Sequence, residues 1–558
     1  MGRVCVFPLF YESAATSQLH LEGNRFNMRQ LTYMPSTVSN TPAFAPALAP
    51  IGPRLRVGKL CVAIQAGSAT EMIERAEAAL ADSKFLEFRL DSLTKPASAL
   101  PKIKEFLAEH RDATVIATCR RKEFGGNFKG SLKSELEVLT KAAESGCQIV
   151  DLEIESAEEA APRQWDRLRA GLRAAGTALL VSFHDFSRTK GLEQAAKRIE
   201  AFEPEFVKVV STARKLADNL AVLKLIEEWS VTARVVGIAM GEEGIVSRVL
   251  GPRAGAAFTF ASFSDGSETA PGQVTARTLR DLYRVEQLDP ATRIFGVAGN
   301  PISHSLSPLM QNTAFRREGV NAVLLPLKVH KIADLLKLLR ELPLAGSAVT
   351  MPFKQEVLPY LANMDPLTAR IGACNTLHVG GDGKIVGFNT DVAGVVRPLE
   401  KRIKLKGARI IVIGAGGAAR AAVFGLVDQG AEVFIFNVIH EQAVALAKEA
   451  KATVLKHEQF AKSRFDVLIN ATPCGMAGNK QPLPIEENEL NAGLVLDMVY
   501  NPLETPLIKL ANELRIPAIS GLEMFVQQGA RQFEIWTGKP APEAEMQKVV
   551  ELALRKRG

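Results

Sequence analysis

The chain has 558 residues, 47% of them hydrophobic and 23% charged, a length and balance that point to two to four soluble globular domains rather than one core. Its net charge of +7 is scattered, with no Lys/Arg block interleaved with aromatics beyond Arg555-Lys556-Arg557, so nucleic acid is not an expected partner and an anionic metabolite explains the bias equally well. No apolar run approaches the ~20 residues of a membrane span, and the six widely spaced cysteines and eight histidines show no disulfide framework or metal-ligand spacing, so a reducing compartment and no metal are expected.

Residues 1–58 stand apart. They are rich in Ser, Thr, Ala and Pro, carry five Arg against two Glu, and include the punctuated Thr41-Pro42-Ala43-Phe44-Ala45-Pro46. The composition fits a disordered tail, or a start upstream of the true one at Met28 or Met34, and is compatible with an organelle transit peptide. The expected compartment is the cytoplasm, or the plastid if this segment is a transit peptide.

From Lys59 short apolar runs alternate with amphipathic helical stretches. The runs are 60–65, 85–90, 114–118, 148–154, 178–183, 206–210, 234–239 and 257–263. Eight such repeats predict a (β/α)8 barrel over 59–288, because parallel strands buried on both faces read as continuous apolar runs. Polar residues fall within or just after these runs: Glu87 and Arg89, Arg120, Asp151 and Glu153, His184 and Asp185, Lys208, and Arg248. Any one of them could be a salt-bridged strand end. Six strand ends delivering charge to one mouth point instead to a shared pocket at the C-terminal face.

Asp289-Pro290 marks the boundary. Further β/α alternation runs from 294 to about 394, giving an α/β substrate domain at 293–395, completed by helices at 522–558. A new unit, 396–521, opens on Ile410-Ile411-Val412-Ile413-Gly414-Ala415-Gly416-Gly417-Ala418-Ala419, a strand, a tight glycine turn and the start of a helix. The second strand ends near Asn437, about 20 residues on. This is the pattern of a Rossmann-like dinucleotide site, in which glycines let the backbone approach a pyrophosphate at a helix N-terminus.

These motifs, taken in order, match known families. Glu87-Phe88-Arg89-Leu90-Asp91, Thr118-Cys119-Arg120, Ser182-Phe183-His184-Asp185-Phe186, Val207-Lys208, Ser247-Arg248 and Ala270-Pro271-Gly272-Gln273 resemble type I 3-dehydroquinate dehydratase. The resemblance implies that Lys208, flanked by apolar residues that disfavour its ammonium form, makes an imine with the substrate ketone. It implies that His184 moves the protons and that Arg248 forks onto the substrate carboxylate. Glu87, Arg89, Arg120, Thr269 and Gln273 would hold the hydroxyls or orient the lysine. Two positions depart from the family. Phe124, not Glu, precedes Gly125-Gly126, with Glu123 one place earlier, which removes the usual carboxylate beside the histidine. Thr269 stands where Ser is common. Activity is expected to survive both.

The second half resembles shikimate dehydrogenase through Gly299-Asn300-Pro301-Ile302-Ser303-His304-Ser305-Leu306-Ser307-Pro308, Val349-Thr350-Met351-Pro352-Phe353-Lys354, Asn375-Thr376 and Asn389-Thr390-Asp391. By that resemblance Lys354 and Asp391 form the catalytic pair, a donor placed where an alkoxide develops and the carboxylate that orients it. Ser305, Ser307, Thr350, Asn375, Tyr500 and Gln528 bind substrate. Gly414, Ala415, Gly416, Gly417, Ala418, Asn437, Asn470, Thr472 and Gly521 line the cofactor. NADP is expected, with NAD possible, because Val438 replaces the arginine that usually meets the 2′-phosphate; Arg420 or His440 could serve it instead. Together the halves look like the bifunctional dehydratase–dehydrogenase family of the shikimate pathway, with 3-dehydroquinate, 3-dehydroshikimate and shikimate as small-molecule partners. Oligomeric state is not encoded legibly. Two alternatives remain: a dehydrogenase half that takes quinate, and a non-catalytic metabolite sensor, which would be expected to have lost Lys208, His184, Lys354 or Asp391.

Overall fold

The computed structural model describes residues 55–483 and 485–556; the tail assigned to 1–58 lies almost entirely outside them. Eight parallel strands, β1 (Leu60–Ile64), β2 (Phe85–Arg89), β3 (Thr114–Thr118), β4 (Ile149–Glu153), β5 (Ala178–His184), β6 (Phe206–Thr212), β7 (Val235–Met240) and β8 (Thr259–Ser262), pair in the order β7-β6-β5-β4-β3-β2-β1-β8. Each strand but the last is followed by a helix on the outside. Among the described residues β7 and β8 touch without a hydrogen-bonded ladder, so the (β/α)8 barrel is closed except at this seam. Strands β5 and β6 continue past their apolar runs to His184 and Thr212, which places His184 on the strand itself.

Strand parity then sorts the interior into layers. Cys61, Phe85, Ile116, Ile149, Leu180, Phe206, Val236 and Phe258 share one apolar cluster that plugs the barrel floor, with Phe85 edge-on to Phe258 at 4.8 Å. Two residues further along the strands, the same inward positions carry Glu87, Thr118, Asp151, Ser182 and Lys208. Two further still they carry Arg89, Arg120, Glu153 and His184. All of these except His184 are buried, and His184 is half-buried at the rim. The opposite parity, Val62, Ile64, Leu86, Phe88, Val115 and Val150 among others, packs on the surrounding helices.

Two further sheets follow. The first joins β9 (Arg293–Gly299), β10 (Ala322–Lys328), β11 (Leu344–Val349), β12 (Asn363–Met364), β13 (Thr376–Val379) and β14 (Ile385–Phe388) in the order β10-β9-β11-β13-β14-β12, with β13 antiparallel to both neighbours. The second is all parallel: β15 (Arg409–Ile413), β16 (Glu432–Phe436), β17 (Thr453–Val454), β18 (Phe465–Asn470), β19 (Ala492–Asp497) and β20 (Ala518–Ile519), ordered β17-β16-β15-β18-β19-β20. The chain order switches sides at β15, the position at which open parallel sheets bind ligands beyond their carboxyl ends. The last helices, Gly521–Thr537 and Glu543–Arg555, return to the first of these two sheets. Trp536 stacks on Phe295 of β9 at 4.9 Å and its indole N–H donates to Leu377 O at 2.9 Å, which anchors the return. The expected architecture, a barrel followed by a substrate domain and a Rossmann-like domain, is the one seen. No helix among the described residues is long and apolar enough to cross a membrane.

Candidate active sites

The barrel mouth holds a cavity lined by Glu87, Arg89, Arg120, His184, Lys208, Arg248, Thr269 and Gln273 together with Phe186, Met240 and Phe260. The eight barrel residues given a role by the resemblance therefore meet in one place, whereas Asp185, also noted at a strand end, turns away to Ser187 and Arg188. At its base Lys208 Nζ donates to Asp151 Oδ2 at 2.7 Å and lies 4.2 Å from the centre of the Phe260 ring. The apolar flank read from the sequence is thus only half of the lysine's surroundings, and its inward tip faces a carboxylate. Burial alone would raise the Asp151 carboxyl, but the charges of Lys208 and Arg120 and hydrogen bonds from Lys208 and Ser182 outweigh it and hold the carboxyl below its usual range.

Arg120 lines the cavity and is held by carboxylates beneath it. Its guanidinium pairs with Glu153 through Nε and with Asp151 through Nη2 at 3.3 Å, and reaches Ser182 Oγ at 3.4 Å. Arg89 is likewise forked onto Asp91, at 2.9 and 2.8 Å. Asp91, Asp151, Glu153 and Ser182 are the site members that sequence reading left unassigned. Their signal was parity: Asp151, Glu153 and Ser182 share the inward face with Lys208 and His184. Arg248 is fully buried, donates through Nη2 to Pro271 O at 3.1 Å, and leaves Nε without a partner. Burial lowers its pKa to about 10, the mark of a cation waiting for an anion. Gln273 is held by its own loop, Thr269 N donating to Gln273 Oε1 at 2.7 Å.

His184 carries the consequence of the departure at 124. Its buried Nδ1 has no hydrogen-bond partner among the described residues. Glu123 points outward to Arg121 Nη1 at 3.1 Å, and Phe124 lies over the Arg121 guanidinium at 4.8 Å. The space beside the imidazole is taken by Phe186, stacked on it at 6.0 Å, and Gly125 leaves room for that ring, since a Cβ there would sit 2.3 Å from Phe186 Cζ. Burial first, then the charges of Arg120, Lys208 and Arg89, hold the imidazole well below its ordinary pKa of 6.5.

In the second half Lys354 Nζ pairs with Asp391 Oδ2 at 2.5 Å. Asp391 heads the helix Asp391–Glu400, where the helix dipole favours a carboxylate. Its other oxygen accepts from Asn375 Nδ2 at 2.8 Å, and Asn375 Oδ1 accepts from Thr390 N at 2.8 Å, so the buried asparagine fixes the carboxylate's angle. Thr350 N donates to Ala298 O and Asn300 N to Met351 O, tying the 299–308 loop to the lysine segment. Ser307 opens the helix Ser307–Arg317, its N–H reaching Ser305 Oγ at 3.3 Å. Gln528 packs on Gly394 of the aspartate's helix, and Tyr500 stacks on Phe525 at 4.6 Å. The pair and Asn375 are joined by direct contacts; Thr350, Ser305, Ser307, Tyr500 and Gln528 reach the same region through the loops and helices that carry them.

Beyond β15 the backbone forms an open cradle. Gly414 has φ of 116°, and a Cβ on it would come within 3.1 Å of Ala471 O, so only glycine fits. Nothing lies within 4 Å of a Cβ placed on Gly416, and one on Gly417 would be 3.8 Å from Lys354 Cδ. The turn at the head of helix Gly417–Asp428 thus has room for a pyrophosphate and opens towards the lysine pair. Asn470 Oδ1 accepts from Thr472 N and Oγ1, shaping the 470–474 turn beside it. Gly521 sits where a Cβ would be 2.3 Å from Val499 O, and Asn437 caps its own turn through Ile439 O. These residues fit a dinucleotide. At its far end Val438 is 77% exposed, and Arg420 is turned away, bonded to Ile371 O and to Glu449 at 2.6 Å.

Comparison with known proteins agrees with this division. Residues 60–290 match the model for type I 3-dehydroquinase and 297–377 that for the shikimate dehydrogenase substrate binding domain. Residues 398–477 match shikimate / quinate 5-dehydrogenase, and 521–551 the shikimate 5'-dehydrogenase C-terminal domain. The chloroplastic bifunctional 3-dehydroquinate dehydratase/shikimate dehydrogenase of Arabidopsis thaliana is 33% identical over 506 residues, 87% of this chain and 82% of that protein. The NADP(+) shikimate dehydrogenase of Maridesulfovibrio salexigens is 39% identical over 266 residues, 46% of this chain and 94% of that one. A solved structure of dehydroquinate dehydratase and shikimate dehydrogenase from S. pombe AroM is 25% identical, covers 88% of this chain and 98% of that one, and has a TM-score of 0.41.

Proposed function

We propose that this chain, which belongs to the bifunctional 3-dehydroquinate dehydratase/shikimate dehydrogenase family, carries out its two reactions through Lys208 and His184 in the barrel and through Lys354 and Asp391 in the second half. It converts 3-dehydroquinate to 3-dehydroshikimate and then to shikimate. The observation that carries the residue assignment is the recurrence, in each half, of a lysine paired with an aspartate, Lys208 with Asp151 and Lys354 with Asp391. Lys208, oriented by Asp151, loses its proton to solvent before its nitrogen attacks the C3 ketone. Water leaves and an imine forms. His184 then takes the C2 proton and returns it to the departing hydroxyl, and hydrolysis of the imine frees the lysine and 3-dehydroshikimate. Arg248 holds the substrate carboxylate.

A neutral imidazole suits the first of those proton transfers. Since kcat/KM reports groups of the free enzyme, and His184 is neutral until the pH falls well below 6.5, dehydratase kcat/KM should show no loss on acidification to pH 6.5. Its acid limb lies lower, and His184→Ala should cost about 10²–10⁴ in kcat. An acid limb at or above 6.5 would assign the base to another group.

In the second half a bound nicotinamide supplies the hydride. Lys354 donates a hydrogen bond to the C3 carbonyl oxygen and passes it a proton as hydride reaches C3, Asp391 holds the lysine in place, and Ser305 and Ser307 take the carboxylate. Gly414, Gly416 and Gly417 would cradle the pyrophosphate. The relatives with separate dehydrogenases are named for NADP(+), and we assign NADP here, with weak discrimination against NAD, because Val438 offers no charge to a 2′-phosphate. Purified protein given only 3-dehydroquinate should therefore oxidise both NADPH and NADH. Val438→Arg should raise the NADPH/NADH ratio of kcat/KM by about 10–100-fold, the worth of one charge-assisted contact. An unchanged ratio would mean another group already reads the phosphate, and silence until 3-dehydroshikimate is added would place the fault in the barrel.

A further inference from the structure

The two halves are joined by a small charged knot that neither reaction uses. Lys328, the last residue of β10, pairs with Glu242 Oε2 at 2.6 Å and with Glu243 Oε1 at 3.1 Å; His330 Nε2 lies 3.0 Å from the same Glu243 oxygen. Both glutamates stand in the turn that follows β7 at the mouth of the barrel. Glu243 is mostly buried, and two donors from the other half converge on one of its oxygens, so it is more than a solvated surface pair.

What that turn holds gives the knot its meaning. The Glu243 carbonyl accepts from Asn219 Nδ2 at 2.7 Å, and Asn219, fully buried, accepts at Oδ1 from Ser247 N at 3.0 Å. Ser247 Oγ closes the circuit by donating to Gly244 O at 2.9 Å, and the next residue is Arg248. On its other side the turn meets the loop that carries Thr269 and Gln273. Gly241 N donates to Pro271 O at 3.0 Å, the same carbonyl that Arg248 Nη2 reaches, and a Cβ on Gly272 would sit 2.2 Å from Gly241 O. Backbone packed this closely cannot shift on one side without moving the other.

We propose that Glu243, gripped by Lys328 and His330 of the dehydrogenase half, is a positioning residue for the dehydratase pocket, fixing Arg248 and the 269–273 loop across the domain junction. The proposal rests on the assignment of Arg248 to the substrate carboxylate. The knot also touches the other pocket: Val329 N donates to Gly299 O, and His330 Nδ1 lies 3.4 Å from Asn300 Nδ2 at the start of the 299–308 loop. The two substrate sites therefore share one set of contacts, and a coupling of this kind must be reciprocal in binding.

The test uses the full chain and dehydratase kinetics. The Lys328→Ala/His330→Ala double variant and the isosteric Glu243→Gln should each raise KM for 3-dehydroquinate about tenfold with kcat within about twofold, and their effects should not add when combined. Lys328→Arg, which keeps the charge, should restore most of the loss caused by Lys328→Ala. A purely structural role would lower kcat and KM behaviour together and would show no such rescue. Arg248→Ala serves as the control: if it leaves KM unchanged, the carboxylate assignment fails. If it raises KM while Glu243→Gln and the double variant do not, or if the combined effects simply add, the positioning role is overturned.

Discussion

Lys208→Ala should abolish dehydratase turnover, by roughly 10⁴-fold or more as for other covalent nucleophiles, while 3-dehydroshikimate reduction by the same protein stays within about twofold. The expectation rests on position. Lys208 is a buried amine at the floor of the cavity, held by the Asp151 carboxylate at 2.7 Å. Removing it leaves Asp151 with Arg120 and Ser182 but without its nearest cation, so the alanine variant will also lose stability. Lys208→Arg separates the two effects. A guanidinium keeps a positive charge beside Asp151 but stays protonated and forms no imine, so this variant should be folded and equally inactive. Borohydride added with 3-dehydroquinate should fix a reduced adduct on the wild-type peptide containing Lys208, found by mass spectrometry. An active arginine variant, or a wild-type enzyme that borohydride leaves unmodified, would end the imine mechanism.

Much of this pocket was legible in the sequence because continuous apolar runs mark the strands of a barrel. Barrel enzymes gather the residues at the C-terminal ends of those strands, so Glu87, Arg89, Lys208 and His184 could be placed together before any coordinates. What could not be read was which charges pair with which. Asp151 and Lys208 stand on β4 and β6, with β5 between them, and only barrel curvature brings them to 2.7 Å. The pairing of Arg120 with Glu153 on the neighbouring strand was no more legible. In the second half Arg420 looked available for a 2′-phosphate from its place after the glycine turn, yet its side chain runs back to Ile371 O and Glu449. A helix position fixes a Cα, not the direction of a long flexible cation. The junction of Lys328 and His330 with Glu243 leaves no trace in local pattern at all, since its partners are 85 or more residues apart.

Lys354→Ala should lower dehydrogenase kcat by about 10²–10⁴, the span for removing a group that donates to charge developing in the transition state, and leave the dehydratase untouched. Asp391→Asn should fall in the same range for a different reason. The carboxylate binds Lys354 with one oxygen and Asn375 with the other, so an amide in its place must turn an NH₂ towards either the lysine or the Asn375 donor. One hydrogen bond is lost whichever way it faces, and the lysine is no longer held. Asn375→Ala removes only the support and should cost less than either. The ordering of the three, with Lys354 and Asp391 non-additive in the double variant, distinguishes a catalytic pair from two independent binding groups. In the Lys354→Ala protein the first reaction still runs, so 3-dehydroquinate supplied with NADPH should accumulate 3-dehydroshikimate, a conjugated enone followed by its ultraviolet absorbance. Shikimate formed at the wild-type rate would instead show that the proton reaches the substrate by a route that bypasses Lys354, with Asp391 left to explain.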